Sequence, residues 1–118
     1  MLVARSRAPL DAVTRLAGTL PTDTVALEEL DTDWTSNAGL TDRLRRLLRQ
    51  GADAVLDHTP DGPTTWQATA ALATGATMVH MGGNPTPSPF SALTLMTNCW
   101  RLIGTRSCTR SDVREIPP

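Results

Sequence analysis

Residues 51–83, GADAVLDHTPDGPTTWQATAALATGATMVHMGG, read as one strand–helix–strand unit, and this unit decides the fold. Ala52 to Leu56 is a short apolar run centred on Val55 and closed by Asp57, the pattern of a strand buried in a parallel sheet. His58 to Gly62 ends it with polar and turn residues. Pro63 suits the first turn of a helix, Trp66, Ala70, Leu72 and Ala73 recur at helical spacing, and Gly75 supplies a stop. Ala76 to Met81 is then the second strand, broken at Gly82-Gly83. Parallel strands joined by one helix cross over right-handed, so both end on the same edge of the sheet, where open α/β folds bind ligands. His58-Thr59 and Met81-Gly82-Gly83 are thereby expected at one rim.

The flanking sequence extends the alternation. Leu2-Val3-Ala4 is a short strand, and Pro9, Leu10 and Asp11 open a helix whose stripe is Leu10, Val13, Leu16 and Ala17, ending at Gly18. Thr24 to Leu27 reads as a strand and Glu28 to Asp33 as an acidic, solvated connection. Ser36-Asn37 or Thr41 caps the next helix, which places Leu40, Leu44, Leu47 and Leu48 on one face and Arg43, Arg45, Arg46 and Arg49 in water. Beyond the central unit come a proline-rich loop from Asn84 to Pro89, a short helix from Ser91 to Met96, a strand from Cys99 to Thr105, and from Ser107 to Ile116 a loop leading into the first turns of a helix. Strands alternating with helices predict a parallel sheet covered on both faces.

The 118 residues fit one small domain or part of a larger one, and 40% apolar with 19% charged residues is a globular composition. A formal net charge of −1, three tryptophans, one phenylalanine and no tyrosine argue against nucleic-acid binding, which needs surplus positive charge or stacking aromatics. Cys99 and Cys108 lack CxxC spacing and read as free thiols of a reducing compartment. Combined with His58 and His80 they fit no zinc-ligand pattern, so no zinc site is expected here, and His80 reads as a satisfied internal residue rather than a catalyst. The N-terminal residues do not form a secretory signal, no stretch is long and apolar enough for a membrane helix, and a cytoplasmic location is expected.

The order of elements, the VLDHT turn, the ATMVHMGG turn and the closing LIGTRSCTRSDVREI together resemble the nucleotide-binding domain of medium-chain alcohol dehydrogenases and quinone reductases. The resemblance runs from Leu2 to Ile116 and implies an incomplete Rossmann-like, doubly wound α/β sheet. It begins at the family's second strand. No G-x-G-x-x-G occurs, so the first strand with its glycine-rich turn has no counterpart, and neither does the separate substrate domain. In the strand order 3-2-1-4-5-6 the absent strand is central. Either Leu2-Val3-Ala4 pairs directly with the strand at Ala52, or a gap remains for another segment.

What the resemblance implies about chemistry follows strand by strand. An acid at the end of the second strand bonds the ribose 2′-hydroxyl of NAD, whereas an arginine there accommodates the 2′-phosphate of NADP. This sequence has Arg5, Ser6 and Arg7 and no acid, which implies NADP(H) over NAD(H). His58, Thr59, Met81, Gly82 and Gly83 would pass the ribose and nicotinamide, Gly82-Gly83 allowing close backbone approach, with Gly104 and Thr105 beside the nicotinamide. Strand Cys99–Thr105 would lie at the sheet edge and join two subunits. The implied function is part of the cofactor site of an NADP(H)-dependent oxidoreductase, with catalytic residues unassigned and no activity expected of this chain alone. The competing expectations are a non-catalytic, partner-dependent remnant and a small α/β anion-binding module.

Overall fold

A computed structural model describes residues 1–18, 22–106 and 114–115. Five short strands alternate with four helices: β1 (Leu2–Ala4), α1 (Arg7–Ala17), β2 (Thr24–Ala26), α2 (Gly39–Leu47), β3 (Ala52–Asp57), α3 (Thr64–Ala70), β4 (Leu72–His80), α4 (Ala92–Asn98) and β5 (Arg101–Gly104), with a 3-10 turn at Leu27–Glu29. The strands form two parallel sheets, β1-β2 and β3-β4-β5. This is the α/β arrangement of parallel strands and crossover helices expected from the sequence. Of the two outcomes for the absent central strand, the gap is the one observed. Among the described residues β1 pairs only with β2 and β3 only with β4.

The core lies under α2 and α3. Leu40 and Leu44 of α2 bury against Ala68, Ala71, Leu72, Ala76 and Met78, and Val25 of β2 joins the same cluster, so one apolar layer spans both sheets. Leu40 is fully buried at 0% exposure. The two helices are also locked by a side chain. Gln67 accepts the Leu40 N–H at 2.8 Å, donates to the Trp34 carbonyl at 2.9 Å, and its own carbonyl accepts the Thr41 hydroxyl at 2.8 Å. The first of these satisfies an orphan donor in the first turn of α2. The N-cap expected from Ser36-Asn37 or Thr41 is therefore replaced: the N-cap position is Ala38 in the left-handed region, and the cap comes from a side chain of α3. Local sequence scanning cannot see a cap supplied from across the fold.

The central unit differs from its expected boundaries at one junction. Helix α3 stops at Ala70, and Leu72 and Ala73 belong to β4. Gly75 is not a helix stop but a positive-φ residue (φ 78°) within the strand, where the β3–β4 register shifts between the Ala52 and Ala54 pairs. Leu72 is buried in either assignment, so its apolarity does not discriminate between helix and strand. Pairing decides: the Ala52 N–H bonds the Ala71 carbonyl at 2.9 Å, and Gly51 packs so tightly on the Leu72–Ala73 backbone that a β-carbon would not fit. The buried residues of α3 are Thr65, Gln67, Ala68 and Thr69. Trp66 is half-buried instead, its indole donating to the Thr86 carbonyl at 2.7 Å and its ring meeting Phe90 edge-on. Phe90 meets Trp100 likewise, which fastens the proline-rich loop to the sheet.

Further boundaries shift: α1 begins at Arg7, ahead of Pro9, β4 ends at His80 rather than Met81, and α4 runs on to Asn98. β2 ends at Ala26, one residue short of the expected Leu27, which begins the 3-10 turn. The last strand runs from Arg101 to Gly104, not from Cys99, because Cys99 is the left-handed C-cap of α4 (φ 52°). The segment expected as a loop and helix from Ser107 to Ile116 lies outside the described residues apart from 114–115. Some apolar side chains are left in water, with Leu56 of β3 at 68% and Leu16 of α1 at 87% exposure. Leu40→Ala should cost about 2–5 kcal/mol in urea unfolding. Leu56→Ser should stay within about 0.5 kcal/mol, which urea melts of the same chain will show.

Candidate functional site

The three strands of the larger sheet end in step. Asp57, His80 and Gly104 are partners in register, and the Met81 and Thr105 N–H groups bond the Asp57 and His80 carbonyls at 2.9 and 3.0 Å. The turns that follow thus emerge side by side. This rim brings together His58, Thr59, Met81, Gly82, Gly83, Gly104 and Thr105, seven of the residues expected there. Arg5, Ser6 and Arg7 stand apart from them at the end of β1, in the other sheet.

Asp57 organises the rim. Its carboxylate is buried at 5% exposure, and every bond to it comes from a neighbouring rim element. One oxygen accepts the Thr59 N–H and hydroxyl at 3.1 and 2.8 Å; the other accepts the Thr65 hydroxyl at 2.7 Å and His80 Nδ1 at 2.6 Å. Burial opposes its charge, but the bonds from Thr65, Thr59 and His80 outweigh that cost and hold the carboxyl below the usual aspartate range. His80 is completed on its far side. With Nδ1 facing a carboxylate and Nε2 accepting the Asn84 N–H at 3.0 Å, the neutral tautomer carrying its proton on Nδ1 satisfies both ends. The Asn84 side chain returns to the Gly62 carbonyl and the Thr65 hydroxyl, both at 2.9 Å. Sequence reasoning missed Asp57, Thr65 and Asn84 as members of one network, although an acid closing a strand and a hydroxyl at a helix start are both visible in it.

Glycine has two uses in the rim. A β-carbon on Gly82 would strike the main chain of His58 and Thr59, so its missing side chain lets the β3 and β4 turns touch each other, rather than a ligand. Gly83 (φ 73°) and Gly104 instead face open space. Beside them lies a recess of about 170 Å³ lined by Thr65, Trp66, Met78, His80, Leu102, Ile103 and Gly104. It is apolar with two polar groups at its edge, the ordinary chemistry of a small-molecule subsite.

At the end of β1 the arginines differ from one another. Arg7, the first residue of α1, closes a two-point pair on Glu29: Nε reaches Oε1 at 2.8 Å and an NH2 nitrogen reaches Oε2 at 2.6 Å, while NH1 donates to the Thr24 hydroxyl at 2.7 Å. The hydrogen bonds from Arg7 hold the Glu29 carboxyl below its ordinary range, and Glu29 raises Arg7 in turn. Glu28 accepts the Arg7 backbone N–H at 2.8 Å, an anion at a helix N-terminus. Glu28 and Glu29 are thus not a merely solvated run, as their sequence context suggests, but the partners of the β1–α1 turn. Arg5 is exposed and forms no ion pair among the described residues, and the Ser6 hydroxyl makes no capping bond.

Parallel strands joined by crossover helices, with polar turns and glycines at the strand ends, are the arrangement of a Rossmann-like domain. Residues 20–117 match the family model described as zinc-binding dehydrogenase. The chain belongs to that family. Solved structures agree in fold. An NAD-dependent alcohol dehydrogenase superposes with a TM-score of 0.65 at 21% identity, over 96% of this chain and 30% of that one. The D-arabinose dehydrogenase of Sulfolobus solfataricus gives 0.66 at 15% identity over 97% and 32%. The benzyl alcohol dehydrogenase of Acinetobacter calcoaceticus gives 0.68 at 15% identity over 89% and 27%. The chain thus spans about a third of the length of these structures or less. No curated protein sequence matches it.

Zinc is implied by the family's description, and the described residues do not fit it. No group of three or more His, Cys, Asp or Glu among them is placed to hold a metal, His80 is spent on Asp57 and Asn84, and Cys99 is exposed on its own. No helix among the described residues is long and apolar enough to cross a membrane.

Asp57→Asn should cost about 1–3 kcal/mol by leaving donors of the rim without a charged acceptor. Because the folded carboxyl titrates below its unfolded value of about 4, the stability it contributes is present above that pH and is lost as pH falls through the depressed folded value. Urea melts between pH 7 and 3 should therefore show the wild type losing stability on acidification and D57N losing less.

Proposed function

We propose that this chain supplies part of the nicotinamide dinucleotide site of an NADP(H)-dependent oxidoreductase of the alcohol dehydrogenase and quinone reductase kind. The observation that carries the reading is the alignment of Asp57, His80 and Gly104 at one rim, with open space over Gly83 and Gly104. Bound nicotinamide would supply hydride transfer to or from a carbonyl, alcohol or enone. The residues of this chain bind and orient it. His58, Thr59 and the Met81–Gly83 turn carry the ribose and nicotinamide side, with Gly104 lining the apolar recess and Thr105 following it. At the end of β1, Arg5, which forms no ion pair among the described residues, Ser6, whose hydroxyl makes no capping bond, and Arg7 form the 2′-phosphate contacts. The site works in the cytoplasm.

The outer edge of β5 is the proposed homodimer contact, along the segment Cys99–Thr105 that contains it. It is open among the described residues, and Leu102 and Ile103 are exposed there. A second reading is favoured by the edges of β1 and β3, each unpaired on one side among the described residues: a non-catalytic module whose sheet is completed by a strand from a partner polypeptide.

Titration of the chain with NADPH and NADH separates these readings. The cofactor reading expects saturable binding with NADPH preferred, and about tenfold weaker NADPH binding in Arg5→Ala with NADH unaffected. Absence of saturable binding by both nucleotides overturns it. Analytical ultracentrifugation should show a dimer that Ile103→Lys dissociates; a monomer at all concentrations removes the edge contact.

A further inference from the structure

The Arg7–Glu29 pair poses a question that the charge count of the turn does not. If the end of β1 receives a ribose phosphate, the guanidinium fork best shaped for it is already filled. Both fork positions that would grip a phosphate are bonded to Glu29, at 2.8 and 2.6 Å, and the remaining terminal nitrogen is bonded to Thr24. The neighbouring anion position, the Arg7 N–H at the start of α1, is filled by Glu28. Two acids from the turn after β2 thus stand where a doubly charged ester would stand.

This occupancy is reversible by construction. The Glu29 side chain is 51% exposed, and Arg7 is its only hydrogen-bonding partner among the described residues. An exposed pair of this kind contributes little to folding and opens readily. The pair borders a polar recess of about 330 Å³, whose lining includes Thr24, Asn37, Arg43 and Arg46. A phosphate ester that displaced Glu29 would meet Arg43 and Arg46 there, with Asp31 and Asp42 also in the lining, and the displaced carboxylate has water to move into.

We infer that Glu29 is a specificity-determining residue of the dinucleotide site, a built-in carboxylate that competes with a ribose 2′-phosphate for the Arg7 fork. The inference rests on the reading of the β1 end as the ribose contact. A 2′-hydroxyl ligand leaves the Arg7–Glu29 pair intact, because it brings no charge to exchange. A 2′-phosphate ligand must expel Glu29 and loses affinity by the strength of that pair. The carboxylate therefore narrows the NADP-over-NAD preference that Arg5 and Arg7 would otherwise set.

Isothermal titration of the chain with the 2′,5′-bisphosphate of adenosine and with adenosine 5′-monophosphate tests this without any turnover. Glu29→Gln should tighten the bisphosphate about two- to fivefold and leave the monophosphate unchanged. Glu29→Ser, which removes the carboxylate with a different shape, should give the same selective gain, and far-UV circular dichroism confirms that each variant is folded. Arg7→Ala in the Glu29→Gln background should abolish the gain. Bisphosphate binding that is unchanged or weaker in both Glu29 variants, with monophosphate binding intact, overturns the role of Glu29 and leaves the dinucleotide reading standing. Failure of both nucleotides to bind any variant ends the dinucleotide reading and this inference together.

Discussion

The rim of this domain depends on the buried carboxylate of Asp57. A charge placed at the end of a strand with 5% exposure is tolerable only if its lone pairs are used, and here each oxygen takes two donors. Those donors come from the turn after β3, from the first turns of α3 and from the end of β4. One side chain thereby fixes the mutual position of three elements whose backbones alone would leave the turns free. His80 carries the constraint one step further by accepting the Asn84 N–H, and Asn84 brings it back to Gly62 and Thr65. The circuit is closed, so the imidazole orients a turn and has no free nitrogen for a ligand.

That closure separates scaffold from surface in the candidate site. Gly82 belongs to the scaffold, since the turns of β3 and β4 meet across it. Gly83, Gly104 and the exposed His58 belong to the surface. The same distinction applies at the other sheet, where Arg7 is bonded on both sides and Arg5 forms no ion pair among the described residues. Basic residues that look equivalent in the string Arg5-Ser6-Arg7 are unequal because one falls at the start of α1, within reach of the acids that end the β2 crossover.

The architecture was legible in the sequence because its signals are local. Short apolar runs, turn residues and crossover lengths identify parallel strands without any long-range information, and the two outcomes for the missing central pairing followed from the strand order that the family resemblance implies. Boundaries failed where two local signals competed. Leu72 and Ala73 are apolar in either a helix or a strand, and only the tight approach of Gly51 places them in β4. Gly75 looks like a helix stop for the same reason that it suits a strand irregularity, namely its ease at positive φ. The network partners were illegible for a different reason. Gln67 capping α2, Glu29 closing on Arg7 and Asn84 bonding His80 are pairings across turns, and a residue's type does not announce its distant partner.

The two sheets raise a last question, of what holds them in one body when no strand pairs across the space between them. The answer lies in α2. Its Leu40 and Leu44 share a cluster with Val25 of β2 on one side and with Leu72, Ala76 and Met78 of the other sheet. A helix that crosses from one sheet to the other substitutes, on its own face, for the backbone ladder that the sheet lacks. Leu56 and Leu16 lie outside that cluster and remain in water. Apolar packing beneath α2 and α3 thus joins the halves, while strand pairing organises each half separately. The end of β1 is fixed within its own sheet and the rim within the other, so their relative placement is set by side-chain packing, the softer of the two constraints. A dinucleotide lying across both would add direct ties between them, and its binding would stabilise the domain where its own chain does so least.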